Sequence, residues 1–130
     1  MYFFATLTGS IQAALGPHMA GLFSNNEDLA KNLIKSGSIV GEKLWRMPLG
    51  EEYDREIDGS RADISNIGRT PYGGAQTAAE FLHRFIENNI PWAHLDIAGV
   101  TWNNYNKGIN SKGPTGFSIN LISEFLKTKK

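Results

Sequence analysis

Few side chains in this sequence are arranged in a pattern that binds metal ions or attacks a substrate. The chain has no cysteine and three histidines, His18, His83 and His94. His94 and Asp96 are two residues apart, a spacing that places both on one face of a strand, where they could point at one ion. The alternative is a histidine hydrogen-bonded inside a sandwich, and no HExxH or similar zinc motif is present. The residues alone favour the structural interpretation.

Candidate nucleophiles and acid–base pairs are equally weak. Ser10 lies in no GxSxG motif and is better explained as a serine at the start of a helix. Gly73 and Gly74 precede a predicted helix whose first N–H groups could bind a phosphate or carboxylate, although ordinary loop geometry explains them as well. Three acidic residues of one short segment indicate a solvated face rather than a catalytic pair of carboxylates: Asp54, Glu56 and Asp58.

Two large aromatic side chains, Trp102 and Tyr105, fall in a polar loop. They could stack on a ligand or cover a subunit interface. The interface is favoured because large rings are costly to leave in water.

Composition limits the classes of partner. The chain of 130 residues is long enough for one domain, and 13 Lys and Arg balance 13 Asp and Glu. This balance gives no net field that favours nucleic acid, an anionic membrane or an acidic substrate. No apolar run approaches the roughly 20 residues of a spanning helix, and residues 1–7 lack the basic start of a signal peptide. We expect a cytoplasmic protein, which the absence of cysteine fits.

The elements that would position these residues alternate between strand and helix. Strands are predicted at residues 2–8, 19–23, 62–67 and 92–98. Helices are predicted at residues 10–15, from 27 to about 45, at 51–57, from 74 or 75 to about 88, and after Thr115 as a cap. In the second helix, Gly37 and Gly41 indicate close packing rather than a break. The fourth helix is expected to bury one stripe: Ala78, Phe81, Leu82, Phe85 and Ile86.

This alternation predicts an α/β fold. We expect a partial three-layer sandwich with a mainly parallel sheet flanked by helices, forming one domain or part of one over residues 1–130.

Several segments together resemble the leucine (cytosol) aminopeptidases. Residues 5–10 read ATLTGS and match that family's A-T-L-T-G-[AS] segment. The other matching segments follow in order along about 125 residues: 14–16, 20–25, 41–48, 62–63 with 66–68, 77–82, 92–99, Lys107-Gly108 and Thr115-Gly116. The chain thus resembles the C-terminal part of the family's catalytic domain.

The resemblance implies a two-metal exopeptidase that releases N-terminal amino acids from peptides. In that family two Mn²⁺ or Zn²⁺ ions polarise the scissile carbonyl and activate water. The family's metal ligands and catalytic residues lie upstream of A-T-L-T-G, several of them in an N-T-D-A-E-G-R stretch that this sequence does not contain. We therefore expect no metal, no catalytic residue and no hydrolysis from this chain alone.

The resemblance carries over a set of substrate-binding residues. The segment Thr6, Leu7, Thr8 and Gly9 would give backbone contacts to the peptide and part of the first side-chain pocket. Ile67 would line the pocket on the far side of the scissile bond. Ala98 and Thr101 would form the wall of the first pocket, where a small alanine leaves room for a leucine side chain.

One position departs from the family, which commonly has an aspartate where this chain has Phe3. Together with a start only four residues before Ala5, this leads us to expect that an upstream part is missing. A sheet without its neighbouring strands would self-associate, so we expect a homo-oligomer. Two alternatives remain: an interaction module without catalysis, and an unrelated α/β domain that binds an anion at Gly73 and Gly74.

Overall fold

The computed structural model describes residues 1–104 and 111–128. The elements, in chain order, are β1 (Tyr2–Ala5), α1 (Gly9–Leu15), β2 (Ala20–Ser24), α2 (Glu27–Val40), β3 (Leu44–Arg46), α3 (Glu51–Arg55), α4 (Gly74–His83), β4 (Ala93–Asp96), β5 (Trp102–Asn103), β6 (Gly113–Pro114) and α5 (Ile119–Lys127). One 3₁₀ turn, Glu87–Asn89, precedes β4. The predicted residues Tyr105, Lys107 and Gly108 lie outside the described ranges.

The main sheet has four strands in the order β1-β4-β2-β3. Strand β1 runs parallel to β4 and β2 runs parallel to β3, while β2 and β4 are antiparallel. The predicted mainly parallel α/β sheet is confirmed. The single antiparallel pair means that β1 and β4 end at one side of the sheet and β2 and β3 end at the other.

Helices cover both faces of this sheet, because alternate strand residues point to opposite faces. Leu22 and Leu95 point to one face and pack with Leu33 of α2 and Phe125 of α5. The other face carries a second cluster under α1 and α4: Ile11, Phe23, Ala75, Ala79 and Trp92. These two clusters make the three layers.

Helix α2 begins where the sequence predicts but ends earlier. Asn26 caps it by accepting a hydrogen bond from the Leu29 N–H at 2.8 Å. Its predicted end near residue 45 is wrong, since Gly41 takes a left-handed φ of 77° and closes the helix. A side chain on Gly41 would meet nothing within 4 Å, whereas a Cβ on Gly37 would lie 2.3 Å from the Glu42 carbonyl oxygen. Close packing therefore explains Gly37 and not Gly41.

Three other local predictions are wrong. Residues 62–67 form bends rather than a strand; they make only an isolated bridge between Asp58 and Ile64. Helix α4 ends at His83, so Phe85 lies beyond it and is 63% exposed. The fully buried residues of α4 are Ala75, Thr77, Ala79 and Glu80. Of the predicted stripe, Leu82 and Ile86 are partly buried against the core.

The predicted cap of the last helix is also wrong. The Thr115 hydroxyl donates to the Val100 carbonyl at 2.6 Å, while Glu42 accepts the Ser118 and Leu121 N–H groups at the start of α5. A carboxylate from a distant turn therefore caps α5 in place of the local threonine.

Candidate functional site

Asp96 is the centre of the candidate site. Strand β4 ends at this residue, and its carboxylate is almost fully buried, at 1% exposure. Oδ2 accepts the Thr8 hydroxyl at 2.7 Å. Oδ1 accepts the Leu7 N–H at 3.1 Å, the Ala98 N–H at 3.3 Å and, at a longer 3.5 Å, the Thr8 N–H. A buried carboxylate is stable here because several donors converge on it.

The same contacts fix the segment between β1 and α1. Thr8 is in extended conformation and caps α1, with its Oγ1 accepting the Ile11 N–H at 3.1 Å. One hydroxyl thus links the Asp96 carboxylate to the first turn of α1. On the other side, a Cβ on Gly99 would lie 2.3 Å from the Gly16 carbonyl oxygen, so the chain after β4 packs directly against the end of α1.

The structure brings together some of the predicted substrate residues. Leu7, Thr8 and Ala98 meet at Asp96, with Thr6 and Gly9 next to them in the chain. Leu7 is 40% exposed and Thr6 and Gly9 are also exposed, so this segment is accessible to a ligand.

Two predicted residues lie on other segments. Thr101 follows Ala98 by three residues, and its carbonyl accepts the Thr115 N–H at 2.9 Å. Ile67 is 77% exposed and precedes Gly68, which lies against Thr77 of α4. Helix α4 meets the start of α1 through close packing of Gly74 on Ser10, the residue after Gly9, where a Cβ would lie 2.5 Å from the Ser10 Oγ.

His94 lies beside Asp96 on the same face but takes no part in the hydrogen-bond cluster. Its ring stacks on Phe23 at 5.9 Å and on Trp92 at 6.5 Å, and neither ring nitrogen has a hydrogen-bond partner. Burial lowers the pKa of His94 below its ordinary 6.5, against the smaller opposite effects of Asp96 and of the Phe3 backbone, which is close but outside hydrogen-bonding geometry. His94 is a buried aromatic residue of the sheet face.

The metal hypothesis for His94 and Asp96 therefore loses its support. The Asp96 oxygens already accept four hydrogen bonds. Among residues 1–104 and 111–128, no group of three or more His, Cys, Asp or Glu side chains is placed to hold a metal ion. The side chains of these described residues do not fit the two-metal centre that the resemblance implies.

A groove of about 1010 Å³ lies at the opposite end of the sheet, where β2 and β3 end. Its buried Glu80 accepts the Gly50 N–H at 2.7 Å and contacts His83 Nδ1 at 3.0 Å. Arg84 binds both Asp54 and Asp58, and its hydrogen bond lowers the pKa of Asp54. The predicted solvated acidic face is thus partly wrong, because these two carboxylates bind an arginine. No local pattern in the sequence predicts this groove, because its residues come from three separate segments, 24–25, 46–54 and 80–86.

Other candidates behave as ordinary structure. Ser10 lies in the first turn of α1, and Gly73 takes a left-handed φ of 62° just before α4. Trp102, on β5, is 53% exposed. None of the helices within the described ranges has both the length and the apolar character of a membrane span.

Known proteins with similar sequences share this arrangement of segments. Residues 1–123 match the pattern of the family described as "Cytosol aminopeptidase family, catalytic domain". The probable cytosol aminopeptidase of Rickettsia bellii and the cytosol aminopeptidase of Rickettsia prowazekii are each 52% identical to this chain over 124 residues. A probable cytosol aminopeptidase of Phytoplasma australiense is 50% identical over 123 residues.

These matches cover 95% of this chain but 25% of each relative, so the chain spans about a quarter of their length. Among solved structures, a mutant tomato leucine aminopeptidase superimposes with a TM-score of 0.86 at 40% identity. That superposition covers 96% of this chain and 24% of the tomato chain. The sequences of the relatives and the fold of the tomato enzyme match this chain over nearly every residue. The chain therefore belongs to the cytosol aminopeptidase family.

Proposed function

We propose that this chain forms the substrate-contacting wall of a metallo-exopeptidase that releases N-terminal amino acids from peptides. The observation that carries the proposal is the convergence of Leu7, Thr8 and Ala98 on Asp96, next to an exposed loop. Family membership supports the reaction class, because the relatives are named as aminopeptidases. Their description as cytosol enzymes supports a cytoplasmic location.

The residues of this wall would act by binding and orientation. In this proposal, exposed backbone of Thr6–Gly9 contacts the peptide main chain, and Ala98 and Thr101 face its first side chain. Ile67, at 77% exposure, is available to contact the part of the peptide beyond the scissile bond. A small residue such as Ala98 leaves room for a leucine-sized group, whose burial contributes about 1.5–3 kcal/mol.

The family's two metal ions would supply Lewis-acid activation of the carbonyl and of water. The described residues of this chain do not fit those ions, as shown above. We therefore assign this chain a binding role in the proposed reaction and no metal-dependent step.

This assignment predicts that the purified chain does not hydrolyse leucine p-nitroanilide, with or without added Mn²⁺ or Zn²⁺. The assay is release of p-nitroaniline from a sample whose folding is verified by circular dichroism. As a positive control, the complete Rickettsia bellii relative is assayed under the same conditions. Metal-dependent turnover by the chain alone, at a rate proportional to its concentration, would contradict the assignment.

A second candidate function is self-association without catalysis, and strand β1 favours it. Ala93 N–H and Ile97 N–H donate to the carbonyls of Met1 and Ala5, so alternate residues of β1 bond to β4. Phe4 consequently directs its N–H and C=O away from β4. Residues 1–17 carry no charged side chain, and Phe3 and Phe4 are 36% and 37% exposed. An edge without charge or proline readily pairs with another strand.

Proline at position 4 tests this candidate with a matched control. Phe4→Pro removes the outward N–H, whereas Phe4→Ala shortens the side chain and keeps it; neither change touches the bonds to β4. In sedimentation equilibrium we expect the dimer dissociation constant of Phe4→Pro to be about 10-fold higher than that of Phe4→Ala, which corresponds to about 1.4 kcal/mol. A monomeric parent chain, or equal association of the two variants, would exclude strand pairing through β1.

A further inference from the structure

Two segments that are far apart in the chain meet on one carboxylate. Asp96 Oδ1 accepts N–H groups from Leu7 and Ala98, and Oδ2 accepts the Thr8 hydroxyl. Leu7 and Thr8 belong to the loop after β1, and Ala98 to the chain after β4. The hydrogen bonds from the loop cross 88 and 89 residues of sequence. Asp96 therefore sets the distance between these two segments.

The hydrogen bonds to the Asp96 carboxylate come mostly from backbone groups rather than from side chains. Three of the four donors are main-chain N–H groups, so the carboxylate fixes the path of the chain at Leu7, Thr8 and Ala98. Thr8 passes the constraint to α1 through the Ile11 N–H. A change at Asp96 would move both segments together, while the exposed Leu7 side chain stays chemically unchanged.

We infer that Asp96 is a positioning residue for substrate selection: it holds the Thr6–Gly9 loop and Ala98 at the separation that determines which first side chain the pocket accepts. This inference rests on the proposed function. Asp96 itself is buried at 1% exposure and touches no substrate, so it acts through the two segments that it joins. A purely stabilising carboxylate would instead change the amount of folded protein and leave selectivity unaltered.

Selectivity is measured in a hybrid enzyme. The part of this chain that aligns with the Rickettsia bellii relative over 124 residues replaces the matching part of that relative, which supplies the other three-quarters of the protein. The measured quantity is the ratio of kcat/KM for leucine p-nitroanilide to that for alanine p-nitroanilide. Asp96→Asn is expected to lower this ratio about fivefold, mainly through KM for the leucine substrate, because a pocket wall that shifts loses contact with the larger side chain. Asp28→Asn, an exposed position with the same charge change, is the matched control and should leave the ratio unchanged.

The outcomes separate the two proposals. An active hybrid whose leucine-to-alanine ratio and KM values are the same with Asp96→Asn overturns the positioning role alone. A hybrid that is folded and metal-loaded but inactive with the parent sequence overturns the proposed function, and the positioning role with it.

A second measurement tests positioning without catalysis. Amide hydrogen exchange in the isolated chain reports on the Leu7, Thr8 and Ala98 N–H groups directly. In Asp96→Asn we expect these three amides to exchange about 10-fold faster than in the parent, while the amides in the middle of α2 are unchanged. Unchanged exchange at all three amides would show that Asp96 does not hold the two segments.

Discussion

Replacement of Asp96 by alanine is expected to lower the free energy of unfolding by about 3–5 kcal/mol. The substitution leaves three N–H groups and the Thr8 hydroxyl without their acceptor at a partly buried position. Each hydrogen bond to a charged group contributes about 1.5–3 kcal/mol, and an unsatisfied buried donor costs about 1–3 kcal/mol. Water that enters the vacated space offsets part of these free-energy costs. The net loss of unfolding free energy is then close to that for breaking a buried ion pair.

Urea denaturation of the chain followed by circular dichroism measures this loss. Asp28→Ala is the control, because Asp28 is an exposed aspartate in the first turn of α2 and its loss should cost about 1 kcal/mol or less. The m-value should be the same for both variants, since the surface exposed on unfolding does not change. A loss below about 1 kcal/mol for Asp96→Ala would mean that the Asp96 cluster contributes little to the fold.

Replacement of His94 by phenylalanine is expected to stabilise the chain most strongly at acid pH. Both ring nitrogens of His94 are buried without a partner, and phenylalanine removes them while retaining an aromatic ring between Phe23 and Trp92. Removal of an unsatisfied buried group is worth about 1–3 kcal/mol, and the larger ring costs part of this gain. The protonation of His94 in the unfolded parent adds a pH-dependent contribution to this difference in free energy of unfolding between the variant and the parent.

The sign of the pH dependence follows from the lowered pKa of His94. Below its ordinary value of 6.5, the unfolded chain binds a proton that the folded chain does not, so the parent loses stability as pH falls from 6.5 towards the folded pKa. The maximum slope is about 1.4 kcal/mol per pH unit, or about 2 kcal/mol between pH 6.5 and pH 5. Above pH 6.5 this contribution of neutral His94 is fully present.

Urea denaturation at pH 7 and pH 5 tests this prediction through the difference between parent and variant. The stability advantage of His94→Phe over the parent should be larger at pH 5 than at pH 7, by at most about 2 kcal/mol. His18→Gln, at an exposed histidine, should follow the parent at both values. A pH-independent difference between parent and His94→Phe would show that His94 is protonated in the folded chain, contrary to its burial between aromatic rings.

Local signals in the sequence predict the parts of the fold that local chemistry determines. Asn26 before Glu27 and Asp28 predicts the start of α2 because a cap and two acidic residues act within one turn. Alternation predicts β4, whose Ala93 and Leu95 do face the α2 and α5 cluster. The mainly parallel α/β sheet follows from the order of these elements.

The wrong predictions share a non-local cause. Leu44 continues the apolar spacing of α2, but pairing with Ala20 of β2 makes it a strand residue. Thr115 has the chemistry of a helix cap, but Val100 takes its hydroxyl and Glu42 caps α5 instead. In each case a partner distant in sequence determines the result, and a local pattern contains no information about that partner.

The candidate site was only partly accessible from sequence. The ATLTGS segment placed Thr6–Gly9 in a substrate cleft by resemblance, and the spacing of His94 and Asp96 placed both on one strand face. The hydrogen bonds that distinguish these two residues come from Leu7 and Thr8, which lie 89 and 88 residues before Asp96. The sequence could identify the side chains but not their partners.

The pairing of β1 with β4 also determines when β1 can form its interstrand hydrogen bonds during synthesis. The Met1 amino group donates to the Pro91 carbonyl, 90 residues later in the chain, and β1 pairs residue by residue with β4. At about 5–20 residues per second, a ribosome needs roughly 5–20 s to make the intervening chain. For that time Tyr2, Phe3 and Phe4 have emerged without the strand that they pair with. The apolar strand β1 therefore depends for its pairing on a part of the chain that is made much later, and unpaired apolar segments of this kind are prone to aggregation until their partner strand is available.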